Sequence, residues 1–266
     1  MLGAIIGDIV GSRFEFHNIK SKIFDLFSQS SFFTDDSVMT IAIAKAILDS
    51  NNNYDKLDDK AIYWMQEIGR KYPLCGYGGM FNMWVDSKNP KPYNSYGNGS
   101  SMRISTVAYV ANSLEELKDL TTKVTAVTHN HPEGIKGALA TASAIYLARI
   151  GKKKEEIRKY ITNNYYNLDF KLDEIRDTYT FNETCQKTVP EAIEAFLEAN
   201  SFIDAIRNAI SLGGDSDTIG AITGSIAEAY FGIPKELRER AITYLDNDLL
   251  KIVFEFESVY PPKIID

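Results

Sequence analysis

The chain has few of the residues that mark several common protein classes. It contains only two cysteines, Cys75 and Cys185, which lie far apart and form no Cys-x-x-Cys pair. This pattern argues against a disulfide framework or a structural zinc site and fits a reducing, cytoplasmic compartment. The apolar start MLGAIIGDIVGS has no basic flank, carries Asp8 and is too short to span a membrane, so we expect neither a signal peptide nor membrane attachment.

Clusters of basic residues are equally scarce. The formal net charge is -7, and the largest basic cluster, GKKKEEIRK at residues 151–159, is diluted by two glutamates. Because a nucleic-acid backbone is bound through a basic surface that releases counterions, the sequence argues against nucleic acid as a partner without excluding it. A phosphate-bearing substrate stays compatible with this charge where metal ions supply the positive charge.

What the sequence does contain is helical periodicity in a globular composition. Hydrophobic residues make up 44% of the chain and charged residues 24%, as in folded globular proteins. Segment 37–50 has apolar residues at three- and four-residue steps, and segment 132–151 opens with Pro132 and Glu133 and ends on Gly151. Similar patterns occur in segments 153–166, 190–199, 201–213 and 234–247. With no repeat and no clear linker, the sequence predicts one all-α domain over residues 1–266.

Two segments depart from this pattern. KIVFEFESVY (251–260) alternates in part and predicts a short strand, although no comparable partner strand is found. Residues 75–103 are rich in Gly, Asn, Pro and aromatic residues and predict a long loop. A loop of that length inside a helical domain is usually functional.

Two acidic motifs carry most of the chemical information. In FFTDDSVMT, Thr34, Asp35 and Asp36 stand just before an apolar periodic segment, where Thr and Asp are favoured helix caps. In GGDSDTIGA, a turn after two glycines carries three further oxygen ligands, namely Asp215, Asp217 and Thr218. Aspartates two apart would diverge by about 200° on a continuous helix, whereas a turn lets them point at one centre.

The segment after the second motif, TIGAITGSIAEAYFG, predicts a buried helix. Gly220 and Gly224 stand four apart and allow another helix to approach closely. A buried helix that begins with two aspartates needs a metal or a dense set of hydrogen-bond donors, and oxygen-only ligands favour hard cations such as Mg²⁺, Ca²⁺ or Mn²⁺. One binuclear centre formed by both motifs is the economical hypothesis, because two divalent ions would nearly balance four aspartates. Two unrelated helix caps are the alternative.

Three further stretches bear on a substrate. The loop NSYGNGSSMR (94–103) can present backbone N–H groups to a phosphate, or be a simple turn. VTHNHPEGI contains His129 and His131, which could bind a metal or, equally well, contact a phosphate or ribose. Glu15, in GDIVGSRFEF, is either a surface carboxylate or part of a site.

Taken in order, the motifs GAIIGDIVGSRFEF, FTDDSVM, YGNGSSMRIS, THNHPEG and GGDSDTIGAITGSIAEAYFG resemble those of the ADP-ribosylglycohydrolase family. The resemblance runs from residue 3 to about residue 232. It implies an all-α orthogonal helical bundle and hydrolysis of the glycosidic bond that joins ADP-ribose to an acceptor. It also implies two Mg²⁺ or Mn²⁺ ions, with Thr34, Asp35, Asp36, Asp215, Asp217 and Thr218 as their ligands.

The same resemblance implies roles for the remaining motifs. Residues matching the substrate contacts are Ser95, Gly97, Asn98, Gly99 and His129. The implied reaction passes through an oxocarbenium-like transition state at the distal ribose, with Asp36 or Asp217 taking the proton of the attacking water. Glu15 matches the glutamate of a mobile flap, where it acts as an acid or base or only orders the flap. Serines at 37, 100 and 101 depart from the commonest family residues but remove no ligand.

The acceptor is less defined by the sequence than the site. An ADP-ribosylated protein is the expected substrate, with arginine as the acceptor by resemblance to the dinitrogenase-reductase and arginine branch. Serine, O-acetyl-ADP-ribose and modified nucleic acid are alternative linkages, and a non-catalytic ADP-ribose-binding module or a structural relative is the alternative class. A structural relative would be expected to lose acids, whereas all four aspartates are present here.

Overall fold

The computed structural model describes all 266 residues, and its regular secondary structure is almost entirely helical. The longer helices are α1 (Leu2–Gly11), α2 (Asp35–Asp49), α3 (Leu57–Gly69), α4 (Gly79–Asp86), α7 (Leu114–Ala126), α8 (Pro132–Arg149), α9 (Lys154–Asn164), α11 (Val189–Leu197), α12 (Phe202–Ser211), α13 (Ser216–Phe231), α14 (Lys235–Ile242) and α15 (Asn247–Val259). One-turn helices are α5 (Gly99–Met102), α6 (Val107–Val110) and α10 (Leu172–Ile175), and short 3₁₀ helices cover Ser12–Phe14 and Cys185–Lys187. The all-α prediction is confirmed.

Strand structure is confined to one short parallel pair, β1 (Ile233–Pro234) and β2 (Ile264–Ile265). The predicted strand in residues 251–260 is wrong, because this segment belongs to helix α15. Asp246 caps that helix by accepting hydrogen bonds from the backbone N–H groups of Asp248 and Leu249. Leu249, Val253 and Phe256 then lie buried on one face at helical spacing, so burial of a helical stripe decides the conformation.

The long loop predicted for residues 75–103 is only partly irregular. It contains all of α4 and all of α5, with irregular chain on either side of α4. Phe81, Trp84 and Val85 on α4 are buried and anchor the segment to the core. The middle of this segment is therefore packed against the core, and the irregular residues on both sides of α4 reach the cavity described below.

Helices α1 and α13 pack antiparallel to each other with their backbones in contact. A Cβ atom on Gly7 would lie 1.9 Å from the carbonyl oxygen of Gly220, and one on Gly224 would lie 2.1 Å from the carbonyl oxygen of Gly3. The close helix approach predicted from Gly220 and Gly224 is confirmed, and the partner is the glycine-spaced start of the chain. This antiparallel packing places the first turn of α13 beside the end of α1.

A hydrophobic core of 68 buried residues extends from Met1 to Phe256 and joins all the long helices. Its continuity favours the one-domain organisation, which stays a prediction. Both cysteines are free thiols. No helix combines the length and the apolarity needed to cross a bilayer.

Candidate active site

A cavity of about 450 Å³ opens where the first turns of α2 and α13 meet the Gly-Asn-Gly loop. Its wall contains Asp35 and Asp36 from the first acidic motif, and Asp215, Asp217 and Thr218 from the second. Glu15, His129 and the predicted substrate contacts Ser95, Gly97, Asn98 and Gly99 also line the cavity, as do residues of segment 76–81. The fold therefore brings residues from five separate motifs to one cavity, whose volume suits a small organic ligand.

The first acidic motif begins helix α2 and rests on a buried carboxylate. The Thr34 side chain caps the helix by accepting a hydrogen bond from the backbone N–H of Asp36, at 3.3 Å. Its hydroxyl donates to Asp8 Oδ1 at 2.8 Å, and Asp8 Oδ2 accepts from the backbone N–H groups of Thr34 and Ser37. The Ser37 hydroxyl also donates to Asp8. Asp8 thus holds the first turn of α2 in place through these hydrogen bonds.

The second acidic motif follows a sharp turn at the start of helix α13. Gly213 and Gly214 have φ values of +67° and +73°, a conformation that side-chain-bearing residues rarely adopt. After this turn, one carboxylate oxygen each from Glu15, Asp215 and Asp217 lies within 4.8 Å of the other two. These three oxygens form a compact group that could hold a metal ion.

A hydrogen bond joins the two motifs. The Thr218 hydroxyl donates to Asp36 Oδ2 at 3.1 Å, across the boundary between α13 and α2. Helix capping by Thr34 is real, but the hypothesis of two unrelated caps does not describe this geometry. Both motifs contribute oxygens to the same wall of the cavity.

Glu15 is held at the site by the asparagine three residues later. The Asn18 side-chain amide donates to the carbonyl oxygens of Phe14, Glu15 and Gly214 at 2.6, 2.9 and 2.9 Å. Its carbonyl oxygen accepts from the N–H of Gly214 at 2.7 Å. The Glu15 segment is thereby tied to the glycine turn that carries Asp215.

The crowding of carboxylates raises their affinity for protons. Burial, followed by repulsion from Asp215, Asp8 and Glu183, raises the pKa of Glu15 to about 7. Burial raises the pKa of Asp35 to about 8 and that of Asp8 to about 6. Asp36 and Asp217 also have raised pKa values, through burial and neighbouring charges. Arg103 is the one lysine or arginine in the wall, so the protein itself supplies little compensating charge.

The residues present fit divalent cations. Asp36 Oδ1 is buried and has no hydrogen-bond partner in the protein, which is costly for a carboxylate oxygen. The potential metal ligands of the two acidic motifs are all carboxylate or hydroxyl oxygens, which Mg²⁺ and Mn²⁺ prefer. Gly76 lies over Asp35, where a Cβ would come within 3.0 Å of Oδ1, so the absence of a side chain keeps that oxygen accessible. An acidic cluster able to hold metal is therefore part of the site.

The Gly-Asn-Gly loop is clamped to residues 183–185. The N–H of Asn98 donates to the carbonyl oxygen of Glu183 at 2.7 Å, and the N–H of Cys185 donates to that of Tyr96 at 3.0 Å. The Asn98 side-chain amide donates to Asp215 Oδ2 at 2.6 Å. Within the loop, Ser95 Oγ accepts from the N–H of Gly97 at 3.1 Å. Asn98 therefore orients an aspartate of the second motif in addition to lining the cavity.

The comparison with protein families agrees with this geometry. A model described as ADP-ribosylglycohydrolase matches residues 1–257. The chain belongs to the ADP-ribosylglycohydrolase family. It is accordingly an enzyme of the class that hydrolyses glycosidic bonds of ADP-ribosyl groups.

Several curated ADP-ribosylglycohydrolases resemble the chain along most of its length. Human ADP-ribosylhydrolase ARH3 is 26% identical over 94% of this chain and 90% of its own. ADP-ribosylarginine hydrolase Tri1 of Pseudomonas putida is 25% identical over 88% of this chain and 70% of its own. ADP-ribosyl-[dinitrogen reductase] glycohydrolase of Rhodospirillum rubrum is 23% identical over 87% of this chain and 84% of its own.

The fold is also found among solved structures. A chain of an ADP-ribosylglycohydrolase-related protein complex superposes with a TM-score of 0.67, at 20% sequence identity. The match covers 97% of this chain and 95% of that one. This likeness supports the ADP-ribosylglycohydrolase fold.

Three residues of this ADP-ribosylglycohydrolase site are not predicted from the sequence. Asp8 was noted only as a charge in an apolar segment, although its place between two glycines of a buried helix was a usable signal. Arg103 stands four residues after the Gly-Asn-Gly motif, but its burial could not be read from the sequence. Glu183 lies in a polar stretch without a pattern and reaches the cavity only through the clamp on Asn98. His131, by contrast, caps helix α8 through Nδ1, which accepts from the N–H of Glu133.

Proposed function

We propose that this enzyme removes ADP-ribose from ADP-ribosylated arginine side chains of proteins, using two Mg²⁺ or Mn²⁺ ions held by the two acidic motifs. The observation that carries the proposal is the meeting of both motifs at one cavity, with Asp36 Oδ1 left without a protein partner. The proposed metal ligands are Thr34, Asp35, Asp36, Asp215, Asp217 and Thr218. The catalytic unit is the whole chain, residues 1–266.

Divalent ions bound there would supply positive charge that binds ribose oxygens and makes a water molecule more acidic. The buried carboxylates would stabilise the positive charge that develops on the ribose as the glycosidic bond breaks. Asp36 or Asp217 would hold the proton lost by the attacking water. Glu15, with a pKa near neutrality and only partial burial, would donate a proton to the departing group as the glycosidic bond breaks.

The remaining cavity residues would bind the ADP-ribosyl group. Ser95, Gly97, Asn98 and Gly99 line the cavity, and His129 packs against the two glycines. Phe181 and Tyr93 add aromatic surface to the wall. A ligand with phosphate and ribose oxygens and one aromatic ring matches this mixture of donors and apolar area.

Acidic charge at the cavity favours a cationic acceptor. Glu183 is an exposed residue in the wall, and it lies close enough to Glu15 to raise the pKa of that carboxyl group. A guanidinium group would be attracted to two carboxylates at this place. Among the relatives, the Pseudomonas and Rhodospirillum proteins are named for arginine and for dinitrogen reductase as their modified targets.

The test is the release of ADP-ribose from an arginine-modified protein and, in parallel, from a serine-modified peptide. Each reaction is run with Mg²⁺, with Mn²⁺ and with EDTA. We expect metal-dependent release that is faster from arginine. Faster release from serine would show that serine, and not arginine, is the preferred acceptor. Tight binding of ADP-ribose without release from any linkage would show that the protein is a binding module and not a hydrolase.

A further inference from the structure

A buried chain of hydrogen bonds runs from Arg103 through Thr128 to His129. Arg103 Nη2 donates to Thr128 Oγ1 at 2.7 Å, and Thr128 Oγ1 lies 2.7 Å from His129 Nδ1. All three residues are buried, with at most 5% of their surface exposed. None of these contacts involves an acidic motif, so this series of hydrogen bonds is a feature separate from the acidic motifs.

The hydrogen bonds of this series can be formed in only one donor-to-acceptor direction. A guanidinium group can only donate, so the Thr128 oxygen must accept from Arg103. The single hydroxyl proton of Thr128 then has two possible acceptors, His129 Nδ1 at 2.7 Å and the carbonyl oxygen of Thr125 at 3.5 Å. The shorter contact is the stronger one, so His129 Nδ1 accepts.

The opposite tautomer would be poorly accommodated. With a proton on Nδ1, His129 and Arg103 would both donate to Thr128 Oγ1, and the Thr128 proton would be left with the 3.5 Å contact. A doubly protonated ring would add a second positive charge beside the buried guanidinium. Burial, together with Arg103, holds the pKa of His129 well below its usual range. His129 is therefore neutral, and its one ring proton is on Nε2.

Nε2 faces the substrate side of the cavity. It lies 3.6 Å and 3.5 Å from the positions that Cβ atoms would take on Gly97 and Gly99. We infer that Arg103 and Thr128 are positioning residues that hold His129 as the Nε2–H tautomer, a fixed hydrogen-bond donor to a phosphate or ribose oxygen of the bound ligand. The inference rests on the proposed function for the nature of the ligand, whereas the tautomer itself can be measured without any ligand.

The tautomer is tested by ¹⁵N NMR of the histidine ring nitrogens in the whole chain at neutral pH. The chain has three histidines, and comparison with a His129→Gln spectrum assigns the signals. We expect Nε2 of His129 to carry the proton and Nδ1 to be an unprotonated acceptor. A protonated Nδ1 in the wild-type protein, either alone or in an imidazolium, would overturn the inference even if every variant failed to fold.

Two matched variants test the role of Thr128. Thr128→Val keeps the shape but removes the hydroxyl, so His129 should become a mixture of tautomers; Thr128→Ser should restore the Nε2–H form. Because only the Nε2–H fraction of the valine variant can donate, calorimetry with ADP-ribose should show binding weaker by the reciprocal of that fraction, about twofold for an equal mixture, and recovery in the serine variant. A pure Nε2–H signal in folded Thr128→Val would refute the role of the hydroxyl. Absence of ADP-ribose release in the turnover assay would count against the proposed function alone.

Discussion

At the scale of single residues, the buried carboxylate of Asp36 has an incomplete set of hydrogen bonds. One of its carboxylate oxygens accepts from Thr218, and the other is buried without a partner. We predict that Asp36→Asn lowers turnover by at least about 10²-fold, the usual contribution of a positioned acid or base, and removes the thermal stabilisation by Mg²⁺. The helical circular dichroism spectrum should stay unchanged, because no hydrophobic contact is lost.

Asp59→Asn, on the exposed first turn of α3, is the matched control for that variant. It changes the same functional group far from the cavity and should leave both turnover and the metal effect at wild-type values. Wild-type turnover in Asp36→Asn would contradict the assignment of this residue to the site.

Glu183 offers a test of acceptor choice at the same scale. Its carboxylate is exposed, so its attraction to a guanidinium should be modest. We predict that Glu183→Gln lowers kcat/KM for an arginine-linked substrate about two- to fivefold, corresponding to the roughly 0.5–1 kcal/mol of an exposed ion pair. For a serine-linked substrate kcat/KM should change less. Equal losses with both substrates would mean that Glu183 does not recognise the acceptor's charge.

The sequence indicated which side chains could carry the chemistry but not how they are connected. Paired aspartates beside threonines are visible as oxygen-rich motifs, and their separate helix-start positions were predicted from local signals. The hydrogen bond between Thr218 and Asp36 depends on the crossing of distant helices, which no local pattern specifies. Arg103 illustrates the same point, because a buried arginine has no signature in the sequence before its partner is known.

At the scale of helices, the contact between α1 and α13 has no room for a side chain. We predict that Gly7→Ala lowers the free energy of unfolding by about 3 kcal/mol or more, since its methyl group would overlap the backbone of Gly220 and force the helices apart. Urea unfolding followed by circular dichroism measures the change. Turnover should fall as well, because Asp8 is the next residue in the helix.

Gly79→Ala is the control for this prediction. It places the same methyl group at the start of α4, where nothing lies within 4 Å. The expected change in unfolding free energy is within about 1 kcal/mol, and it is favourable if the added methyl group restricts the unfolded chain. A wild-type midpoint for Gly7→Ala would show that the two helices tolerate a wider separation.

Helix positions were predicted well where the hydrophobic stripe was regular, and poorly where composition was mixed. Helices α2, α8 and α12 follow from their apolar spacing and capping residues. In α15 the alternation of Phe254 and Phe256 suggested a strand, but only Phe256 is buried while Phe254 is 44% exposed. The tertiary contacts, which the sequence alone does not give, select the helix.

At the scale of the whole molecule, the buried carboxylates make the stability of the metal-free protein depend on pH. Their folded-state pKa values, about 6 for Asp8, about 7 for Glu15 and about 8 for Asp35, lie above the ordinary values of 3.8 to 4.5. Between these limits the folded state binds more protons than the unfolded state, so stability falls as pH rises. We predict that the thermal midpoint in EDTA decreases from pH 5 to pH 8.

Bound cations should oppose this loss. Mg²⁺ favours the ionised carboxylates, so it should raise the midpoint more at pH 8 than at pH 5. The double variant Asp35→Asn with Glu15→Gln should flatten the pH dependence in EDTA. A midpoint that rises from pH 5 to pH 8 in the metal-free wild-type protein would contradict the electrostatic description of the site.

We propose that the two acidic motifs, far apart in sequence, form one site for two divalent ions. The most direct measurement is titration of the EDTA-treated chain with Mn²⁺, followed by electron paramagnetic resonance. We predict two Mn²⁺ ions per chain with the spectrum of a coupled pair, and loss of that coupling in Asp36→Asn. A single uncoupled ion, or no tightly bound Mn²⁺, would contradict the binuclear centre.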